Sequence, residues 1–146
     1  MSDVPPDPLP APYHDLFGFR LLEWRDGFAR LAAEAGPQHM NRAGVVHGGF
    51  VLGLIDQAAA YSGLWCSVPG NARRGLTLAL ATQFVAPVTA GQVVAEARMV
   101  GHGGTTFFTR TEVFRADGTL VATGQGTHRW RSGSEAVGGM PVAAMR

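Results

Sequence analysis

The spacing of hydrophobic and polar residues divides the chain into three regions. Residues 19–25 and 28–34 are predicted to be the two strands of a hairpin, because they are separated by Asp26-Gly27, a pair typical of a tight hairpin turn. Residues 47–66 are apolar at almost every position, which predicts a long helix that other structure surrounds on most sides. Between residues 76 and 128 the period changes to two, which predicts four more strands with turns at residues 87–91, 101–104 and 117–118.

This order of elements, two strands, one buried helix and four strands, predicts an α+β fold. The economical arrangement is a curved antiparallel sheet of about six strands wrapped around the long central helix. The outer edge of the sheet and the helix ends stay open, so we expect a partner subunit. The folded domain spans residues 13–131, with a short helical turn at residues 14–17. A proline-rich arm (residues 1–12) and a tail (residues 132–146) are predicted to be flexible.

Composition narrows the class of protein. A chain of 146 residues with 46% hydrophobic content can bury a core of its own, and its net charge of +1 argues against nucleic acid or an anionic membrane as partner. Cys66 is the only cysteine, which excludes an intrachain disulfide and favours a reducing compartment. We find no signal-peptide pattern and no apolar stretch of membrane-spanning length, so the expected location is cytoplasmic.

Asp56 is the first candidate for chemistry. It lies in the middle of the predicted buried helix, and no basic residue occurs between Gly48 and Gly70. An unpaired carboxylate in apolar surroundings costs several kcal/mol, so hydrogen bonds, a partner's groups or a water-filled cleft must compensate it. A catalytic carboxylate fits this setting, and a structural hydrogen bond to a neighbouring loop is the alternative.

A second candidate is the segment His47-Gly48-Gly49 at the start of the same helix. A glycine pair there leaves backbone N–H groups uncovered at the positive end of the helix dipole, where a phosphate or a developing oxyanion is stabilised. His47 is either an N-cap or a proton-transfer residue. Asn41, six residues earlier, either holds a water or carbonyl or forms a turn. Thr77 either orients a water or simply belongs to the next strand.

Other chemistries lack their motifs. The histidines show no metal-ligand spacing, and neither HExxH nor CxxC occurs, so no metal site is expected. The glycine-rich residues 101–104 join two strands and precede no helix, which excludes a Rossmann or P-loop phosphate cradle. No serine-centred nucleophile motif occurs.

Residues 41–56, with the sequence NRAGVVHGGFVLGLID, resemble the PaaI-type hotdog thioesterases of the 4-hydroxybenzoyl-CoA thioesterase-like superfamily. Members carry an Asn, a small loop, His-Gly-Gly and an Asp nine residues after the His. Residues 75–91 and 118–122 are similar to the family as well, and the resemblance covers about residues 17–130. It implies a hotdog fold, a homodimer that often pairs into a tetramer, and hydrolysis of an acyl-CoA to a free acid and CoA.

The resemblance also implies roles for the candidate residues. Asp56 would activate water or attack the thioester carbonyl, and Gly48 would polarise that carbonyl through its N–H. Asn41 and His47 would help to place the thioester, and Thr77 would help to hold the water. Asp56 and Thr77 would come from one subunit, and the other groups from its partner. No cofactor is expected apart from coenzyme A as part of the substrate.

Substrate contacts are less well defined. Where family members often have Lys or Arg before a Thr, this chain has Thr105-Thr106, so other groups must hold the CoA phosphates. The predicted substrate-binding residues are Gly49, Phe50, Arg73, Arg74, Gly103, Gly104 and Thr105, with Arg110 as a further candidate. Phe50, Trp65, Met40 and Phe84 are candidates to line an acyl pocket for an aryl or a short to medium-chain group.

Two other functions stay open at this point. A hydratase of acyl thioesters would use a His and a carboxylate as an acid–base pair, in a motif context that this chain lacks. A non-catalytic acyl-CoA binder would keep the pocket but has no need for the carboxylate of Asp56.

Overall fold

The computed structural model describes residues 4–145, and its long helix and six long strands follow the predicted order. Short 3₁₀ turns lie at Pro37–His39 and Val142–Ala144. The helices and strands are α1 (Pro12–Phe17), β1 (Arg20–Arg25), β2 (Phe28–Ala35), α2 (Gly48–Leu64), β3 (Asn71–Ala72), β4 (Gly75–Phe84), β5 (Gly91–Gly103), β6 (Thr106–Arg115), β7 (Leu120–Trp130) and β8 (Met140–Pro141).

Six of these strands form one sheet in the order β1-β2-β5-β6-β7-β4. Every neighbouring pair in it is antiparallel. The predicted α+β hotdog architecture, one long helix against a curved six-stranded antiparallel sheet, is therefore confirmed. Strands β1 and β4 lie at the two edges, so β4 offers one row of backbone groups that this sheet does not pair.

Helix α2 packs across one face of the sheet, mainly against β2, β5 and β6. Alanines in the strands, such as Ala33 and Ala95, let the helix backbone approach closely. Leu54 and Ile55 are fully buried between the two layers, and each contributes about 1.5–3 kcal/mol through the apolar surface it removes from water. None of the helices within residues 4–145 combines the length and the hydropathy of a membrane span.

One side of α2 faces away from the sheet. Gly49 and Leu52 are exposed there, and Gly53 and Asp56 are partly exposed. These residues recur every three or four positions and so lie on one side of the helix, called here the open face. The open face brings Asp56 to solvent although the rest of its helix is largely buried.

The turn between β5 and β6 is shorter than residues 101–104. Gly101 and Gly103 are strand residues, and only Gly104-Thr105 separates the two strands. Gly104 has φ of 58°, a left-handed conformation that a residue with a side chain adopts at a cost. A bulge between Met99 and Gly101 keeps the longer ladder in register.

The predicted flexible tail folds back onto the domain, which corrects that prediction for residues 132–145. β8 pairs with β3, and Ser134 is fully buried with its Oγ accepting from the Arg74 N–H at 2.8 Å. The described part of the predicted arm also contacts the domain, since Tyr61 donates a 2.6 Å hydrogen bond to Asp7. Residues 1–3 of the arm and residue 146 of the tail lie outside the described residues.

Candidate active site

Asp56 and Thr77 meet at the edge of the sheet. Thr77 lies in β4 beside a bulge, and its hydroxyl donates to Asp56 Oδ1 at 2.6 Å. No other hydrogen bond to the Asp56 carboxylate forms within residues 4–145. The second carboxylate oxygen, Oδ2, is therefore available to a water or a substrate at the open face.

The hydrogen-bond chain continues into the core through His128 of β7. The Thr77 hydroxyl lies 3.1 Å from His128 Nδ1, and the Thr109 hydroxyl lies 2.9 Å from His128 Nε2. Thr77 has a single hydroxyl hydrogen, and an ionised carboxylate can only accept, so this hydrogen points to Asp56. His128 Nδ1 must then be the protonated nitrogen that donates to Thr77, and Nε2 accepts from Thr109. Each donor in the chain points towards Asp56.

The packing around His128 keeps this chain in one arrangement. His128 is fully buried, and the ring of Phe107 stacks on it with centroids 4.8 Å apart. A Cβ at Gly126 would overlap His128 Nε2 and lie 2.7 Å from Thr109 Oγ1, so only glycine leaves room there. Burial lowers the pKa of His128, and the nearby charge of Asp56 raises it by a smaller amount. The imidazole is therefore neutral at pH 7, as the hydrogen bonds to Thr77 and Thr109 require.

The helix start is built as the His-Gly-Gly segment predicts. His47 is the N-cap of α2, and its Nδ1 accepts from the Gly49 N–H at 2.8 Å. The Gly48 N–H forms no hydrogen bond in the described part of the chain. A Cβ at Gly48 would come within 3.2 Å of the exposed Phe84 ring, so a side chain at this position would crowd that ring.

Within one chain, the helix start and Asp56 are not brought together. Asp56 follows Gly48 by eight positions, which at 1.5 Å per residue is about 12 Å along the helix. Asn41 is exposed, and its Oδ1 accepts from the N–H groups of Ala43 at 2.8 Å and Val45 at 3.2 Å, so it shapes its own loop. Asp56 and Thr77 thus form one group, and Asn41, His47 and Gly48 form another.

Arg73 and Phe50, two of the predicted substrate-binding residues, are buried, which corrects those two predictions. Arg73 is 5% exposed, and its guanidinium donates to the carbonyl oxygens of Trp65, Ser134 and Glu135, so it holds the C-terminal segment instead of facing a CoA phosphate. Phe50 is also buried, with its ring 4.0 Å from that of His39, and it does not line an open acyl pocket.

The other predicted substrate contacts stay near the surface. Gly49, Gly103, Gly104 and Thr105 are exposed, and Phe84 lies beside the start of α2. Arg74 and Trp65 line a cleft of about 880 Å³ between residues 5–14 and the C-terminal end of α2.

His128 and Thr109 were missed by reasoning from the sequence, although a signal for both was present. The period-two pattern of β7 places His128 on the same face as Ala122, and the pattern of β6 places Thr109 with Phe107. Both polar residues therefore fall on the face that packs against the helix, where a buried polar group needs a partner.

Comparison with known proteins agrees with this architecture. A family model described as the thioesterase superfamily matches residues 43–122. A candidate esterase of Archaeoglobus fulgidus is 31% identical over 116 residues, which are 77% of this chain and 71% of that protein.

Solved structures show the same fold. A mutant form of the phenylacetic acid degradation protein PaaI from Thermus thermophilus is 30% identical, with a TM-score of 0.71 over 83% of this chain and 99% of that one. The Escherichia coli PaaI protein from the phenylacetic acid degradation operon is 24% identical, with a TM-score of 0.76 over 85% and 87%. Since the family match covers more than half of the chain and includes Gly48, Asp56 and Thr77, the chain belongs to the thioesterase superfamily.

Proposed function

We propose that the protein hydrolyses an acyl-CoA to a free acid and CoA at sites shared by two subunits of a homodimer. The observation that carries the proposal is that Asp56 is partly exposed on the open face, with one carboxylate oxygen held by Thr77 and the other without a hydrogen bond within residues 4–145. The reaction needs no cofactor beyond the CoA moiety of the substrate. Among the described residues, Arg74, Thr105 and the N–H groups of Gly103 and Gly104 are candidates to contact that moiety.

The proposed chemistry needs a base or nucleophile and an oxyanion contact. Asp56 Oδ2 either deprotonates a water that attacks the thioester carbon or attacks that carbon itself. The uncovered N–H of Gly48, at the positive end of α2, stabilises the negative charge that develops on the carbonyl oxygen. The tetrahedral intermediate then expels the CoA thiolate, which takes up the proton lost by water. On the nucleophilic route a water afterwards hydrolyses the acyl–Asp56 anhydride to the free acid. Single-turnover reaction in ¹⁸O-labelled water detects the nucleophilic route when ¹⁸O appears in the Asp56 carboxylate, because that label requires an anhydride whose aspartyl carbonyl is attacked by water.

A homodimer would bring together Asp56 and Gly48, which lie apart within one chain. Strand β4 lies at the edge of the sheet, and its apolar residues Leu76 and Leu78 are exposed. Pairing of two β4 strands about a two-fold axis would cover these side chains and satisfy the free backbone groups. In such a dimer Gly48 of the partner subunit would approach Asp56, and each dimer would hold two sites. Two such dimers could pair through the outer faces of their sheets.

Release of the CoA thiol from a panel of aryl-, short-, medium- and long-chain acyl-CoAs tests the activity. Asp56→Asn should keep the fold and lower kcat by about 10²–10⁴-fold, since it removes the base or nucleophile. Glu112→Gln is the matched control, because that carboxylate is exposed on the outer face of the sheet. A folded Asp56→Asn protein with wild-type activity would contradict the proposal.

Mixed dimers test whether each site is shared. Gly48→Pro removes the N–H at the first position of α2, where proline is tolerated. Neither Asp56→Asn nor Gly48→Pro should be active alone. After mixing and subunit exchange, half of the dimers should be mixed, and each of those should have one intact site, so about a quarter of wild-type activity should return. No recovery despite proven exchange would show that each site lies within one chain.

The hydratase alternative is disfavoured by burial. His128 is coupled to Asp56 through Thr77, but its ring is fully buried and both ring nitrogens are engaged, so it does not reach a substrate as an acid or base. Hydration of crotonyl-CoA without thiol release would favour the hydratase. Binding of acyl-CoAs without any turnover would favour the non-catalytic binder.

A further inference from the structure

The phenol of Tyr13 lies on the open face of α2. Tyr13 belongs to α1, and its ring packs against Phe17 with centroids 4.6 Å apart. A Cβ at Gly53 would overlap the Tyr13 hydroxyl, so the hydroxyl occupies the space that a side chain at position 53 would fill. Positions three apart on a helix have Cβ atoms about 5–6 Å apart, so the hydroxyl lies near the side chain of Asp56, whose negative charge acts on the phenol.

The Tyr13 hydroxyl differs from its polar neighbours because it has no hydrogen-bond partner among residues 4–145. Close by, His14 Nε2 pairs with Gln57 Oε1 at 2.8 Å, and the Tyr61 hydroxyl donates to Asp7 at 2.6 Å. The Tyr13 side chain is 41% exposed, so its hydroxyl is an accessible donor in the space beside Asp56.

Electrostatics keep that donor protonated. Burial raises the pKa of the Tyr13 phenol, and the negative charge of Asp56 raises it further. The same charge repels an anionic group from this space. A neutral oxygen with a free lone pair is the acceptor that fits beside both groups.

We propose that Tyr13 is a specificity-determining residue that donates a hydrogen bond to a neutral hydroxyl or keto oxygen on the acyl group of the substrate. The inference rests on the proposed hydrolysis of acyl-CoA at Asp56. An acyl group whose thioester carbon lies at Asp56 extends along the open face past Gly53, where it meets the phenol. Tyr13 also lines the cleft of about 880 Å³, which has room for the remainder of the group.

Two matched substrates test this role: 3-hydroxybutyryl-CoA, which carries the oxygen, and butyryl-CoA, which lacks it. The wild type should prefer the hydroxylated substrate. Tyr13→Phe should lower kcat/KM for 3-hydroxybutyryl-CoA by about 10-fold and change that for butyryl-CoA by less than about 2-fold. Tyr61→Phe is the control, because its hydroxyl is already bound to Asp7, and it should keep the wild-type ratio.

Gly53→Ala provides a second variant that does not depend on changing Tyr13. Its methyl group would displace the hydroxyl, so it should reduce the preference for the hydroxylated substrate as Tyr13→Phe does. If Tyr13→Phe left the ratio of kcat/KM for the two substrates unchanged, the inference would be overturned and the proposed function would stay intact. A wild type inactive on every acyl-CoA would overturn both.

Discussion

Asp56 is the only charged residue in α2, and one short hydrogen bond orients it. Thr77 makes this bond, and its own orientation depends on the donor from His128. The imidazole in turn depends on Thr109, which is 2% exposed. At the scale of single residues, the reactive carboxylate is therefore positioned by a chain of neutral donors that extends into the core.

Removing the last donor in this chain should weaken both stability and activity. Thr109→Val keeps the shape of the side chain but leaves the buried Nε2 of His128 without a donor, which should cost about 1–3 kcal/mol of unfolding free energy. Thr109→Ser keeps the hydroxyl and should retain most of the activity. Urea denaturation and kcat for both variants measure the effect. Identical stability and activity of the two variants would contradict the role of the Thr109 hydroxyl as a donor to His128.

The buried histidine also predicts a pH dependence of stability. Burial lowers the pKa of His128 in the folded protein below its ordinary value of 6.5, so the unfolded chain binds the proton more readily. The free energy of unfolding should therefore fall as the pH drops below about 6.5. Urea midpoints at pH 7.5 and 5.5 should differ more for the wild type than for His128→Gln. An equal decrease would mean that other groups cause it.

At the scale of elements, glycines determine how closely α2 and the sheet approach. Gly63 is near the end of α2, and a Cβ there would overlap the ring of Phe107, the ring that stacks on His128. The helix and β6 thus meet at the residue that supports the hydrogen-bond chain.

Gly63→Ala tests this contact, because helix propensity and packing predict opposite signs. Propensity alone would stabilise the helix by about 1 kcal/mol, whereas overpacking of the core costs about 1–3 kcal/mol. Since the neighbour is a buried aromatic ring, we expect a net loss of stability in thermal or urea unfolding. Gly101→Ala in β5 is the control, since a Cβ there meets nothing within 4 Å. A stabilised Gly63→Ala protein would show that Phe107 can move.

At the scale of the whole molecule, the two edges of the sheet are unequal. β4 has ten residues and exposes Leu76, Leu78 and Phe84, whereas β1 has six residues and exposes Leu22 at 38%. A long apolar edge favours pairing with a second chain, so the dimer proposed above would use β4.

A lysine introduced on each edge strand in turn tests which edge forms the dimer. Leu78→Lys should disrupt the dimer and abolish activity, because an edge lysine opposes strand pairing and the partner's Gly48 is lost from the site. Leu22→Lys on β1 should leave both unchanged. Sedimentation and thiol release measure the two properties. A monomer with full activity would contradict the shared site, and an unchanged dimer would place the interface elsewhere.

The sequence by itself predicted the order of the long helix and the six long strands and the type of fold, and it singled out Asp56, Gly48 and Thr77 as candidates for the site. Those features depend on local periodicity, on turn residues and on a short motif, all of which can be read along the chain. The turn predicted at residues 101–104 was too long, because Gly101 and Gly103 pair with β6 through a bulge that only the partner strand determines.

Only the tertiary structure decided what surrounds these residues. Arg73 resembles a surface cation in sequence, but the C-terminal segment folds over it and occupies its guanidinium with backbone carbonyls. Thr109 and His128 lie 19 residues apart and become partners only because β6 and β7 pair in one register. Burial and long-range pairing depend on the whole chain, so no local pattern fixes them; the hydrogen-bond chain behind Asp56 exists only in the folded molecule.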